Sequence, residues 1–314
     1  MKTIELSYPH QLKHDHIQET VAAIGFFDGI HRGHQKVIMT AKETAKQTGR
    51  LCAVISFHPH PSVVLREDVS HVNYLTPIKE KEEILEAMGV DLFYIIRFNE
   101  QLSKLAPQSF IDHFIIGLHI KHLVAGFDFT YGHKGLGTMD QLANHPKLAT
   151  TIVEKVEVEG EKISSTLIRE LLVEGHIEKA SQLLGRPLQV RGIVEQGEQI
   201  GRELGYKTAN LKLASDYFLP KLGVYAVTIY LDGRVLCGMA NLGYTPTVQI
   251  DNIEPKLEVH ILDYNKPIYG QELVIEWNRF IRSEAKFNSM EDLTNQIKLD
   301  ESKVRSYFAK NRSV

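Results

Sequence analysis

Two cysteines in 314 residues, Cys52 and Cys237, are too few and too far apart to staple a fold. Each lies in an apolar run that reads as a strand, where a buried, reduced thiol is the expected state, and a disulfide-framed secreted scaffold is excluded. Long hydrophobic runs are also missing. The apolar stretches fall well short of the roughly 18 residues of a membrane helix, and the opening MKTIELSYPHQLKHDH turns polar before a signal-peptide core forms. We therefore expect a cytoplasmic chain with no membrane partner. Positive charge is not in excess either. A formal net charge of -3 gives no overall attraction to a polyanion, and the local cluster Lys303, Arg305, Lys310 and Arg312 is a weak basis for one, so no nucleic-acid partner is expected. Low-complexity tracts and internal repeats are absent as well, so halves of different texture are different domains.

The chain has 43% hydrophobic and 24% charged residues, near the average for folded globular proteins, and a length suited to two domains. From residue 21 to about 157, apolar runs (VAAIGF, LCAVISF, DLFYII, HLVAGF, TIVEKVEV) alternate with helical patterns from Gly33, over Lys79 to Met88 and over Gln108 to Leu118. Such alternation implies βαβ units and a Rossmann-like parallel sheet. In the first helix His34, Val37, Ile38, Ala41 and Ala45 share one stripe. Two further helices are expected, from Ser164 to about Val173 and from Ile177 to Leu184. After Leu184 glycine and proline punctuate short β-rich runs, which predicts a small antiparallel β-barrel closed by a helix from Met290 to about Phe308. The segment GRPLQ marks the boundary, giving domains over residues 1–185 and 186–314.

The segment AIGFFDGIHRGHQ runs from a strand through a loop with Gly25, Gly29 and Gly33 into a helix. Glycines let backbone approach a phosphate, and the helix N-terminus offers N–H groups and a positive dipole end. His31 and His34 stand at that entrance, where ring N–H groups suit a transferring phosphoryl centre. In a chain with 15 histidines a chance pair or a partial zinc site is the competing account, though no nearby cysteine or HExxH pattern completes a zinc site. Later, ISSTLIR at 163–169 has serines placed to cap a helix, and Arg169 near its positive end, where an anionic ligand would relieve the conflict with the dipole. Between them GFDFTYGHKGLG sets Phe127, Phe129 and Tyr131 in a glycine-rich turn, either an ordinary hydrophobic turn or a platform for a flat ring.

The pattern GxFDGxHxGH resembles the signature of HxGH nucleotidyltransferases, and GFFDGIHRGHQ is similar to its form in bacterial bifunctional riboflavin kinase/FAD synthetases. The resemblance implies ATP contacts at Gly25, Phe26, Asp28, Gly29, Gly33, Ser164, Ser165 and Thr166, catalytic roles for His31, His34 and Arg169, and flavin contacts at Phe127, Asp128 and Phe129. An acidic residue is common in the family where His58 stands, so His58 is given no role.

In the C-terminal half, EQGEQIGRELGYKTANL carries Gly197, Gly201 and Gly205 into a strand on which Thr208 and Asn210 point the same way. Two neutral oxygen donors suit Mg²⁺, although strand threonines are common. On KLEVHILDY, Leu257, Val259 and Ile261 share one face and leave Glu258 and His260 on the other, as an ordinary surface strand also would. The loop resembles the riboflavin kinase motif with core PTAN, its proline replaced by Lys207. This implies nucleotide contacts at Gly201 and Gly205, Mg²⁺ on Thr208 and Asn210, and Glu258 as general base. The resemblance spans about Val21 to Asp300 and implies phosphorylation of riboflavin to FMN and adenylylation of FMN to FAD. The alternatives are a single-activity adenylyltransferase with a weak kinase, an adenylyltransferase with another acceptor, and a non-catalytic flavin-binding regulator.

Overall fold

The computed structural model describes residues 1–10, 12, 18–143, 145–196, 206–244 and 255–311. It divides into two compact units, Met1–Ser165 and Thr166–Val314.

The first unit is built on six parallel strands, β1 Lys2–Leu6, β2 Thr20–Ile24, β3 Leu51–His58, β4 Leu92–Arg97, β5 Ile120–Gly126 and β6 Ala149–Val153, in the spatial order β1-β4-β3-β2-β5-β6. Alternation along β2 decides both cores. Val21 and Ala23 face helix α1 (Arg32–Thr48) and its Val37, Ile38 and Ala41, while Ala22 and Ile24 face Phe110 and Phe114 on the other side. Helix α2 (Ile78–Ala87) lies on the α1 side, where Leu85 joins that core. From β2 the chain proceeds to β3 and β4 on one side and returns to β5 on the other. The reversal places the exits of β2 and β5 side by side, with Ile24 opposite Ala125, the position where open α/β sheets bind ligands.

Three details differ from the sequence reading. Lys2–Leu6, read only as a polar start, is an edge strand paired with β4; its Ile4 and Leu6 alternate with charged or polar neighbours, which suits an edge. The run TIVEKVEV is not one strand. β6 ends at Val153, opposite the last β5 residue, Gly126, and beyond this ladder Glu157–Val158 pairs instead with Glu161–Lys162. The helix expected over Gln108 to Leu118 is a short α-turn, Pro107–Phe110, that widens into a π-helix over Ile111–Ile116, closed by Gly117 N–H on Asp112 O.

The second unit begins with helices α3 (Ser165–Glu174, whose first residue belongs to the first unit) and α4 (Ile177–Leu184). Six antiparallel strands then close a barrel: β7 Leu188–Glu195, β8 Thr208–Leu213, β9 Gly223–Leu231, β10 Arg234–Gly243, β11 Lys256–Ile261 and β12 Glu272–Arg282, in the order β7-β8-β11-β10-β9-β12, with β12 pairing back to β7. Strict alternation points Ala209, Leu211, Leu257 and Val259 inward. The helix predicted at the C-terminus, α5, runs from Met290 to Asn311. It buries Val304 against Ala226 and Leu262 and sets Asp300, 1% exposed, 2.7 Å from Arg282 Nε on β12.

Candidate active sites

In the first unit the loop between β2 and α1 is held in an unusual backbone conformation. Gly29 has φ 84°, and the non-glycine residues Phe27 and Ile30 have φ 52° and 37°, values that persist only when the surroundings enforce them. Gly25 is tightly packed, since a Cβ there would lie 3.0 Å from the Phe27 ring, which would have to give way. Gly33 is crowded as well. His31 caps α1, its ring folded back so that a Cβ at residue 33 would meet ring atoms at 3.1 Å. His31 Nδ1 accepts the His34 amide at 3.2 Å, so a neutral ring carries its proton on Nε2. The two imidazoles stack 3.6 Å apart at 19°, with His31 only 5% exposed and the His34 ring edge-on to Phe27. The pair expected from sequence is thus a single packed unit at a helix N-terminus.

Asp28 turns inward. Its carboxylate accepts the amides of Leu75 and Thr76 at 3.2 and 3.0 Å, fixing the segment before α2. Ser165 Oγ donates to Asp28 O at 2.8 Å, both residues lying in the first unit. Phe26 packs edge-on to His60 at 4.4 Å, and its carbonyl accepts Ser56 Oγ and Lys81 Nζ. Lys81 and Ser56 were not singled out from sequence. The available signal was a lysine on the apolar stripe Ile78, Lys81, Leu85 of an otherwise solvated helix.

At the exit of β5, Phe127 is exposed, with Lys162 Nζ 4.4 Å from its ring centroid and 2.8 Å from Asp128 Oδ2. Phe129 differs. It packs on the core and stacks on Tyr131. Ser164 directly precedes α3, Thr166 is its second residue, and Arg169 is its fifth, with the guanidinium 5.5 Å from the Phe218 ring centroid. That position lies beyond the first turn, so the expected conflict between Arg169 and the helix dipole is not present.

In the barrel, register does what sequence spacing alone does not. Asn210 on β8 lies opposite Glu258 on β11, Glu258 lies opposite Asn241 on β10, and Thr208 lies opposite His260. Cross-strand partners on one face stand about 5 Å apart, so Thr208, Asn210 and Glu258 form one polar patch on the outer face, with Asn241 added by the fold. His260 Nδ1 donates to Lys207 O at 2.9 Å, and Tyr206 packs edge-on against His260 while its hydroxyl reaches Glu301. A cavity of about 250 Å³ opens beside Thr208, bounded by Val194, Val259, Lys207, Lys266 and Tyr269. Gly201 and Gly205 lie outside the described residues. Among the described residues no cluster of three histidine, cysteine or acidic side chains is placed to hold a metal. The Cys52 thiol is buried and its pKa pushed up to about 12, which makes it an inert core group.

Comparison with known proteins covers both units. The FAD synthetase family matches residues 13–167 and the riboflavin kinase family residues 184–308. A bifunctional riboflavin kinase/FMN adenylyltransferase from Listeria monocytogenes is 46% identical over 99% of this chain and 99% of its own, and one from Bacillus subtilis 44% identical over 99% and 100%. A crystal structure from Streptococcus pneumoniae, described as a macrolide-efflux protein, is 34% identical over 96% of this chain and 99% of that chain, with a TM-score of 0.88. Among the described residues no helix is long and apolar enough to cross a membrane. By full-length identity and by both matched domains, the chain belongs to the family of bifunctional riboflavin kinases/FMN adenylyltransferases.

Proposed function

We propose that the chain phosphorylates riboflavin to FMN within residues 186–314 and adenylylates FMN to FAD within residues 1–185, using ATP in both steps. The observation that supports this reading is the presence of two distinct polar patches in separate folds: a histidine-capped helix N-terminus at the β2/β5 switch point, and a carboxylate beside neutral oxygen donors on the barrel.

In adenylyl transfer a phosphate oxygen of FMN attacks the α-phosphorus of ATP, the α–β bond breaks, and pyrophosphate leaves. No protein nucleophile is needed, because the incoming phosphate already is one. The chain's task is to orient the two anions and offset charge on the five-coordinate centre. His31, donating from Nε2, and the first amides of α1 are suited to this. His34 keeps the His31 ring in place by stacking and through its amide. Ser164, Thr166 and Arg169 carry the ATP-binding proposal from their motif alone, whereas Ser165 and Asp28 act by fixing the loop. Phe127 offers an exposed ring to the flavin, flanked by Asp128, and Phe129 supports the turn from the core.

In the kinase reaction the terminal ribityl hydroxyl attacks the γ-phosphorus and ADP leaves. Glu258 accepts the hydroxyl proton. Thr208 and Asn210 would hold Mg²⁺: both are half-buried on the face that carries Glu258, and neutral oxygen donors with a nearby carboxylate fit a hard cation. When bound, Mg²⁺ neutralises phosphate charge. The cavity beside Thr208, with Lys266 at its wall, is suited to the nucleotide. The buried, reduced Cys52 fits a cytoplasmic location.

The test is incubation of purified protein with riboflavin, ATP and Mg²⁺, followed by chromatographic separation of the flavins. Wild-type protein yields FAD. His31→Ala accumulates FMN, the loss of one such donor lowering the rate about 10²–10³-fold. Glu258→Ala makes no FMN from riboflavin yet still converts supplied FMN. A Glu258→Ala protein that is folded but inert toward FMN would refute the division of chemistry.

A further inference from the structure

A lysine ammonium in a protein core loses its hydration and is retained only where something holds it. Lys81 is 1% exposed. Its Nζ donates to Phe26 O at 2.9 Å and to Ser56 Oγ at 3.1 Å, and lies 5.0 Å from the Phe26 ring centroid. Ser56 Oγ also donates to Phe26 O, at 2.8 Å. The same loop repeats the arrangement twice: Asp28 O accepts Ser165 Oγ, and Ile30 O accepts Gln35 Nε2 at 2.8 Å. Alternate carbonyls are therefore turned into the protein by side-chain donors. Carbonyl oxygens facing a polyphosphate would repel it, so drawing them away favours an anion at the α1 N-terminus. Of these donors only Lys81 is charged, and charge-assisted bonds are about twice as strong as neutral ones.

We propose that Lys81 is a positioning residue for adenylyl transfer: by holding the Phe26 carbonyl together with Ser56, it maintains the strained Phe26–His31 loop that presents His31 and the helix N-terminus to the nucleotide. The inference rests on the proposed chemistry of that loop. Burial pulls the Lys81 ammonium down to about 8, opposed by Asp28 in the loop. His58 on β3 is held below its ordinary value by burial and, in addition, by the Lys81 charge, and Glu80 is the preceding buried residue on α2.

The experiment compares wild type, Lys81→Met, Lys81→Arg and Ser56→Ala in the conversion of supplied FMN, with riboflavin phosphorylation by the same samples as the internal control. Lys81→Met is expected to slow FAD formation about 10²-fold, mainly in kcat, as a misplacement of about 1 Å does, while FMN formation from riboflavin is unchanged. Ser56→Ala gives a smaller loss in the same direction, and Lys81→Arg restores part of the rate. Wild-type adenylylation declines above pH about 8, and the variant lacking the ammonium loses that limb. Lys81→Met with wild-type FAD synthesis and an unaltered pH profile would overturn the inference. Should that variant fail to fold, Ser56→Ala with the wild-type rate, together with no alkaline limb in the wild type, would overturn it equally. Wild-type protein that makes no FAD refutes the proposed chemistry itself, whereas FAD made equally well by wild type and Lys81→Met refutes only the role of Lys81.

Discussion

Replacing Asp300 by alanine should uncouple the thermal stability of the two activities. Asp300 is 1% exposed on α5, and its carboxylate accepts Arg282 Nε at 2.7 Å and Gln296 Nε2 at 2.8 Å. Removing one member of a buried ion pair costs about 3–5 kcal/mol, because the remaining charge is left uncompensated. Arg282 retains 21% side-chain exposure and a second bond to Ser283 O, so its stranded charge is partly hydrated and about 2–3 kcal/mol is the appropriate range. For a unit the length of Thr166–Val314, about 2–4 °C is lost per kcal/mol, giving a fall of roughly 5–10 °C. The assay is residual activity after graded heating, reading riboflavin phosphorylation and FMN adenylylation on the same sample, with calorimetry alongside. Asp300→Asn, which keeps an oxygen acceptor, should lose about half as much. A kinase midpoint that moves by less than about 2 °C, or an adenylylation midpoint that falls equally, would refute the reasoning.

Lys81 gives a linkage prediction of definite sign. Its ordinary value of 10.5 falls to about 8 in the folded chain, so between these values the unfolded chain binds a proton that the folded one does not. Stability rises with pH across that window, and below pH 8 the buried charge costs about 3 kcal/mol; Lys81→Met should flatten the rise in a melting series from pH 7 to 10.5, and an unchanged slope refutes the assignment. A fragment starting at Thr166 keeps α4, which buries Ile177, Leu183 and Leu184 and packs on β7 and β12, whereas one starting at Arg186 loses apolar burial on the order of 5 kcal/mol. The shorter fragment should therefore melt well below the longer, and equal melting temperatures would show that α4 contributes nothing. Lys207→Pro should leave riboflavin phosphorylation intact or raise it, since the carbonyl held by His260 is retained and proline restricts the unfolded chain; abolished FMN formation in a folded protein would reveal a direct role for the lysine side chain.

The fold class was legible in the sequence because it rests on local periodicity. Alternating apolar runs and helical stripes specify a parallel sheet whichever strand neighbours which, and the change after Leu184 specifies short antiparallel strands. The loop with Gly25, Gly29 and Gly33 was legible for the same reason, since its glycines answer to local crowding and positive φ, and His31 caps the helix that follows it. Strand order was not legible. That Glu258 lies between Asn210 and Asn241, and that the exits of β2 and β5 are neighbours, follows from register and topology, which no local pattern encodes. Nor does sequence show which charges are buried. Lys81 falls on the stripe of Ile78 and Leu85 but within the charged stretch KEKEEIL, so its position is only a faint signal, and Asp300 sits on a helix that is mostly polar. Both are drawn inside by partners 18 to 55 residues away along the chain. Local sequence sets the conformations each segment prefers; only tertiary packing decides which polar atoms lose water and must find one another.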